Sequence, residues 1–174
     1  MIGVYDYTVL ATSLSLAFGV SGILAAMNGS PYSALLCLMV SGLLDAFDGR
    51  IARTKKNRTE QEKRFGIQID SLNDVVCFGV LPGVIGASLG GGEWWLRASV
   101  LFYILAALIR LAYFNVTEEE RQSATNEHRH YYLGVPVTAA SFIMPLFWAL
   151  PLRLGSALAV IYAVGLTLLA FLFI

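Results

Sequence analysis

Asp45-Ala-Phe-Asp48-Gly49-Arg50-Ile-Ala52-Arg53, then twelve residues, then Gly66-Ile-Gln-Ile-Asp70-Ser-Leu-Asn-Asp74: this stretch sets four carboxylates between long apolar runs. An ionised side chain within hydrocarbon is costly, so acidic residues in such a setting serve a function and need a partner. On a helix, Asp45, Asp48, Gly49 and Ala52 share one face, because neighbours lie three or four apart. Gly66, Asp70 and Asp74 do the same on the next helix. Opposing the two faces brings four carboxylates around one small space, with glycine on both sides.

Like charges crowded this way cannot all stay ionised unaided. Hard divalent cations with oxygen ligands, such as magnesium, resolve the conflict. No Cys or His residues stand at zinc-like spacing, which argues against a soft-metal site. The plainer alternative pairs the aspartates with Arg50 and Arg53, but acidic pairs repeated on two helices are a poor way to build ion pairs.

Outward from the motif, the chain is that of an integral membrane protein: 57% of its 174 residues are hydrophobic and 14% charged, with a mean hydropathy of +0.67. Net charge is zero, so no global field argues for nucleic acid. Cys37 and Cys77 lie in apolar stretches and read as buried free thiols. The first apolar run starts near Thr8 with no basic region before it, which reads as a span rather than a cleavable signal peptide.

Six helical spans follow. The first covers residues 8–27. Asn28-Gly29-Ser30-Pro31 is a turn, with Ser30 as cap and Pro31 as first helical residue of the second helix. Lys55, Lys56 and Arg58 mark that helix's exit into water. Thr59 and Glu62 have capping-box spacing at the start of the third, which continues through Leu89. After Gly90-Gly91-Gly92 the fourth spans Glu93 to Asn115, with Trp94 and Trp95 at interfacial depth. Residues 116–130 are polar and read as a loop, with His128 and His130 solvated. Spans 131–152 and 154–174 finish the chain. Ten of twelve basic residues fall on the side of the 2–3 and 4–5 connections, with only Arg97 and Arg153 opposite. That asymmetry predicts cytoplasmic termini, and an acidic cluster opening toward the cytoplasm.

The acidic pattern resembles the signature of the CDP-alcohol phosphatidyltransferase family, matching it in all four Asp, both Gly and the Ala52-Arg53 pair. The Arg53–Gly66 interval is longer than in many members. Arg110–Asn115 (R-L-A-Y-F-N), Phe78–Gly83 (F-G-V-L-P-G) and Tyr132–Ala140 (Y-L-G-V-P-V-T-A-A) are similar to segments of its phosphatidylserine synthase branch.

The resemblance implies an all-α integral membrane domain covering 1–174, with a metal-lined polar cavity at the cytoplasmic side. It implies two divalent ions per site (magnesium or manganese, with calcium as a crystal substitute) held by Asp45, Asp48, Asp70 and Asp74, with Asp74 also the proton acceptor. Tyr5, Thr8, Asp48, Gly49, Arg53, Lys63 and Gly66 fall where relatives contact the CDP-lipid. A homodimer in the cell membrane is the expected assembly. The donor implied by the resemblance is CDP-diacylglycerol or a CDP-activated ether lipid, and the implied acceptor is L-serine.

Physical chemistry is compatible with each role. Glycine at 49 and 66 lets a bulky nucleotide approach the backbone, and Arg53 offers a forked donor for phosphate. A positioned general base contributes about 10²–10⁴-fold. No Ser-His or Cys-His arrangement is visible, which favours direct displacement over a covalent intermediate. For L-serine, Arg110 stands at a depth suited to the carboxylate, with Asn115 assisting. Topology alone also accounts for basic residues such as Lys63, Arg64 and Arg110 at helix ends. The competing readings are the same chemistry on glycerol 3-phosphate, inositol phosphate or inositol, and a cation transporter. Carboxylates near one membrane face, without an inverted repeat, speak against transport.

Overall fold

The computed structural model describes residues 7–55, 59–90, 92–124, 134–149 and 157–174, and these form an all-helical bundle. Its elements are α1 (Tyr7–Met27), α2 (Pro31–Thr54), α3 (Glu60–Asp74), a π-helical turn (Val75–Val80), α4 (Leu81–Ser88), α5 (Trp94–Ala124), a 3₁₀ turn (Val137–Ala139), α6 (Ala140–Ala149) and α7 (Ala157–Phe173). Because α3, the π turn and α4 run on without a break, the described residues make six rods, the number expected. Val9–Met27, Glu60–Ser88 and Trp94–Glu120 are each long and apolar enough to cross a membrane, and Val137–Trp148 and Ala157–Phe173 are shorter apolar helices. This is a multi-pass integral membrane architecture.

Local signals explain most boundaries. Thr59 Oγ1 accepts from the Glu62 amide at 3.2 Å while Glu62 Oε2 accepts from the Thr59 amide at 2.8 Å, completing the expected capping box. Ser30 stands at the N-cap of α2 before Pro31, but its side chain makes no capping bond; its carbonyl accepts from the Ala34 amide instead. The polar segment after Asn115 does not leave the helix there. The fourth rod continues to Ala124, since Glu, Arg and Gln are good helix formers whatever their hydropathy. The fifth rod starts later than expected: Gly134 has a positive φ of 78° and helical structure begins only at Val137. Gly91, the His128 and His130 region, and the ends of the fifth span at 131–133 and 150–152 lie outside the described residues.

The π turn has a cause in sequence. Proline at 82 has no amide hydrogen to give the Phe78 carbonyl one α-turn back, and its ring crowds that turn. The rod widens there, with the Leu81 amide donating five residues back to Val76 O. From α5, the Tyr103 hydroxyl donates to Phe78 O at 2.6 Å; from α7, that of Tyr162 donates to Pro82 O at 3.3 Å. Neighbouring helices thus satisfy backbone groups that lipid could not.

The core around this turn contains Leu38, Phe78, Leu81, Ile85, Tyr103, Met144, Tyr162 and Leu166. Leu10, Leu36, Leu101 and Phe171 point outward at 63–69% exposure, as lipid-facing residues should. Close helix approach rests on glycine: a Cβ at Gly19 would collide with Cys77 Sγ, and one at Gly42 with the Ser141 side chain. Cys37 and Cys77 are free thiols, as expected, but only Cys77 is buried; Cys37 is half-buried.

Candidate active site

The aspartates come from two adjoining rods. Asp45 and Asp48 lie near the end of α2, and Asp70 and Asp74 in the last turns of α3, just before the π turn. Three of the four converge: one carboxylate oxygen from each of Asp45, Asp70 and Asp74 lies within 4.8 Å of the other two. Asp48 is not among the three that meet this closely. Its Oδ2 accepts a hydrogen bond from Thr12 Oγ1 at 3.2 Å, both residues being buried. Helical spacing put Asp48 on the correct face; only the position of α1 reveals its partner.

Asp74 is 9% exposed, and its Oδ1 has no hydrogen-bond partner among the described residues. A buried carboxylate oxygen without a donor, beside two further carboxylates, is a costly arrangement for the protein alone. All-oxygen donors with this surplus of negative charge fit a hard divalent cation. Arg50 does not offset the charge: it is exposed, with its guanidinium 5.8 Å from the Phe47 ring centroid.

The other expected site residues are distributed as follows. Gly49 is exposed on α2, and a Cβ there would meet nothing within 4 Å. Gly66 is half-buried on α3, one turn before Asp70. The Lys63 ammonium pairs with Glu60 at 2.7 Å, and Lys55 pairs with Glu62 at 3.1 Å across the α2–α3 connection. Tyr5 lies outside the described residues, as do the side chains of Thr8 and Arg53. Arg110 is half-buried on α5, where its Nη2 would lie 3.2 Å from a Cβ placed on Gly134. Asn115 Oδ1 accepts from Ser71 Oγ at 3.0 Å, which ties α5 to the turn of α3 between Asp70 and Asp74.

Residue-by-residue reading of the motif missed Thr12, Ser71 and the buried polar group one turn deeper: Ser15, Ser41, Asn73 and Cys77. Ser41 and Asn73 were within reach, being one turn from Asp45 and Asp70 on the same faces. Thr12 and Ser15 were not, because α1 carries no charged residue to orient it.

A bundle of apolar rods carrying an acidic, oxygen-only cluster whose donors suit a divalent cation defines a class of membrane protein. The sequence profile of the CDP-alcohol phosphatidyltransferase family matches residues 8–172, and the chain belongs to that family. It is 34% identical over 145 residues to the CDP-diacylglycerol–serine O-phosphatidyltransferase of Helicobacter pylori (strain ATCC 700392 / 26695), covering 82% of this chain and 56% of that protein. Similarity to the enzyme of that name from Mycobacterium bovis is 30% over 147 residues, 83% of this chain and 49% of the other. The archaetidylserine synthase of Methanothermobacter thermautotrophicus is 29% identical over 140 residues, 80% and 56% of the two chains. The chain spans about half the length of the curated relatives it matches.

Proposed function

We propose that the chain transfers a phosphatidyl-type group from a CDP-linked lipid to the hydroxyl of L-serine, releasing CMP. The observation that carries this reading is the convergence of Asp45, Asp70 and Asp74, with the Asp74 Oδ1 lacking a donor. The names of the relatives support serine as acceptor, and they leave both the diacylglycerol and the ether lipid as donor tails.

Asp45, Asp70 and Asp74, with Asp48 beside them, would hold divalent metal, two ions of magnesium or manganese per site. Metal held there would supply positive charge to offset the diphosphate oxygens and the charge developing on the departing CMP. Asp74 takes the proton of the serine hydroxyl as its oxygen bonds to the β-phosphorus. The bond from that phosphorus to the bridging oxygen breaks, and CMP leaves with the electron pair. Gly49 leaves room for the nucleotide on the exposed side of α2. Arg53 and Lys63 supply donors to the diphosphate, with Lys63 exchanging its Glu60 partner for phosphate. Arg110 receives the serine carboxylate, and Asn115 helps orient the acceptor. Tyr5, Thr8 and Gly66 complete the CDP-lipid contacts.

A six-span reading puts α2 and the short helices α6 and α7 in the membrane beside the three longer candidates. The basic residues around the 2–3 and 4–5 connections put both termini and the site on the cytoplasmic side. The assembly is a homodimer.

CMP release tests the reading. Purified protein is incubated with a CDP-lipid, magnesium or manganese, and in turn serine, glycerol 3-phosphate, inositol phosphate and inositol. Release with serine alone is expected. Release with another alcohol instead would reassign the acceptor, and no release with any of them would overturn the enzymatic reading.

A further inference from the structure

Beside the carboxylates lies a second polar layer whose hydrogen bonds, among the described residues, run between its own members. Ser15 of α1 is its hub. Its hydroxyl donates to the Ser41 carbonyl at 3.1 Å and pairs with the Ser41 hydroxyl at 2.9 Å, and Asn73 Nδ2 donates to it at 3.4 Å. With one hydrogen given and two accepted, the Ser15 oxygen uses its full capacity. Cys77 Sγ closes the set, 3.2 Å from Asn73 Oδ1 and 3.7 Å from the Ser15 carbonyl. Ser15 and Ser41 are wholly buried and Asn73 nearly so.

Position gives this layer a role beyond filling space. Ser41 precedes Asp45 by four residues on one face of α2, and Asn73 lies between Asp70 and Asp74 on α3. A bond network joining Ser41 to Asn73 through Ser15 therefore fixes the two carboxylate-bearing faces against each other, both in height and in rotation. A slip of one residue along either helix shifts its groups by about 1.5 Å and turns them by about 100°. Metal ligation tolerates much less than that.

We propose that Asn73, Ser15 and Ser41 are positioning residues: they set the separation of Asp45 from Asp70 and Asp74, and so the affinity of the cluster for divalent metal. This rests on the metal reading given above.

The test is Mn²⁺ binding to the purified full chain in detergent, followed by electron paramagnetic resonance of free Mn²⁺. It is paired with the thermal midpoint of each variant in chelator. Asn73→Leu keeps the branched skeleton, with a somewhat larger side chain, and removes the bonds; Ser41→Ala removes a single hydroxyl and guards against loss of folding. Outer residues that orient metal ligands typically change affinity by about 10–100-fold when removed, so Asn73→Leu should weaken Mn²⁺ binding by about 10-fold or more. Ser41→Ala should weaken it less, and Ser41→Thr, which restores a hydroxyl, should recover most of the loss. Leu166→Ala, in the apolar core on α7 beside Gly86, should lower the midpoint while leaving Mn²⁺ affinity within about twofold, because the layer is carried by other helices. Wild-type affinity in folded Asn73→Leu and Ser41→Ala, or losses that follow the midpoint across all variants including Leu166→Ala, would overturn the proposal. Failure of the wild-type protein to bind Mn²⁺ would overturn the metal reading itself and this inference with it.

Discussion

Replacing Asp74 with Asn separates what the cluster does for function from what it does to stability. Carboxylate oxygens of Asp45, Asp70 and Asp74 lie within 4.8 Å of one another. At that separation two ionised groups repel by about 3.5 kcal/mol with an effective dielectric of about 20. Asp74 takes part in two of the three pairs, so its neutralisation would remove about 7 kcal/mol of repulsion were all three groups fully ionised at that separation. Protons shared within a crowded set relieve much of this, so the expected gain in metal-free protein is about 1–3 kcal/mol, the scale of a large single-residue effect. Asp74→Asn should therefore melt several degrees above wild type in chelator.

Divalent metal should erase that advantage. A ligand at about 100 times its Kd stabilises the protein that binds it by about 2.7 kcal/mol, and the variant, short of one ligand oxygen with no other partner, gains less. Catalysis should fall in the same variant by about 10²–10⁴-fold, the usual contribution of a placed general base. The assays are thermal unfolding in detergent with chelator and with magnesium, and CMP release from a CDP-lipid. A midpoint below wild type in chelator, or an equal magnesium-induced rise in both proteins, would refute the electrostatic reasoning. Activity within tenfold of wild type would refute the assignment of Asp74 as proton acceptor.

Other substitutions probe separate links. Thr12→Val removes the donor to Asp48 while keeping the shape, and should cost about tenfold in metal or CDP-lipid affinity; Thr12→Ser should behave as wild type, and equal loss in both would point to packing instead. Tyr103→Phe deprives the Phe78 carbonyl of its 2.6 Å donor and should destabilise the bundle by about 0.6–1.7 kcal/mol, the measured range for hydrogen bonds between membrane helices, as read from the midpoint in detergent. Arg110→Ala should raise the KM for serine much more than that for the CDP-lipid; equal effects would leave Arg110 as a topological anchor.

The legible part of this site was its periodicity. Asp45 with Asp48, and Asp70 with Asp74, fall at helical spacing, so their faces and the crowding of their charges follow from the sequence before any packing is known. The Thr59–Glu62 capping box was equally local and is present as expected. One expectation that failed rested on hydropathy where local helix propensity governs. Thr117 and the glutamates after it read as loop by polarity, yet Thr117 Oγ1 bonds Phe114 O at 3.0 Å and the helix runs on. The Thr12 partner of Asp48 was not foreseen, since it is supplied by a helix 36 positions earlier in the chain. The π turn was not foreseen, although Pro82 inside an apolar run carries its cause.

The deepest gap concerns α1, and its reason is general to lipid. In water, a buried helix face is the apolar one; in a membrane both faces are apolar, and the buried one is marked by size. Described side chains of α1 that are buried are Thr12, Ser15, Gly19, Gly22 and Ala26, spaced by three and four, while Leu10, Leu14, Leu16, Val20 and Leu24 face outward. Hydropathy ranks the outward set above the inward one and so inverts the answer. The small residues admit Cys77 at Gly19 and Leu81 at Gly22, which draws the α3–α4 rod against α1. At the other end of the stripe, the same closeness lets two hydroxyls reach partners: Thr12 to Asp48, and Ser15 to Ser41 and Asn73. One face thus performs two tasks in sequence, close packing at the glycines and polar contact at the hydroxyls. Larger residues at Gly19 or Gly22 should therefore disturb the aspartates two to three turns away, by forcing apart the rods that carry them.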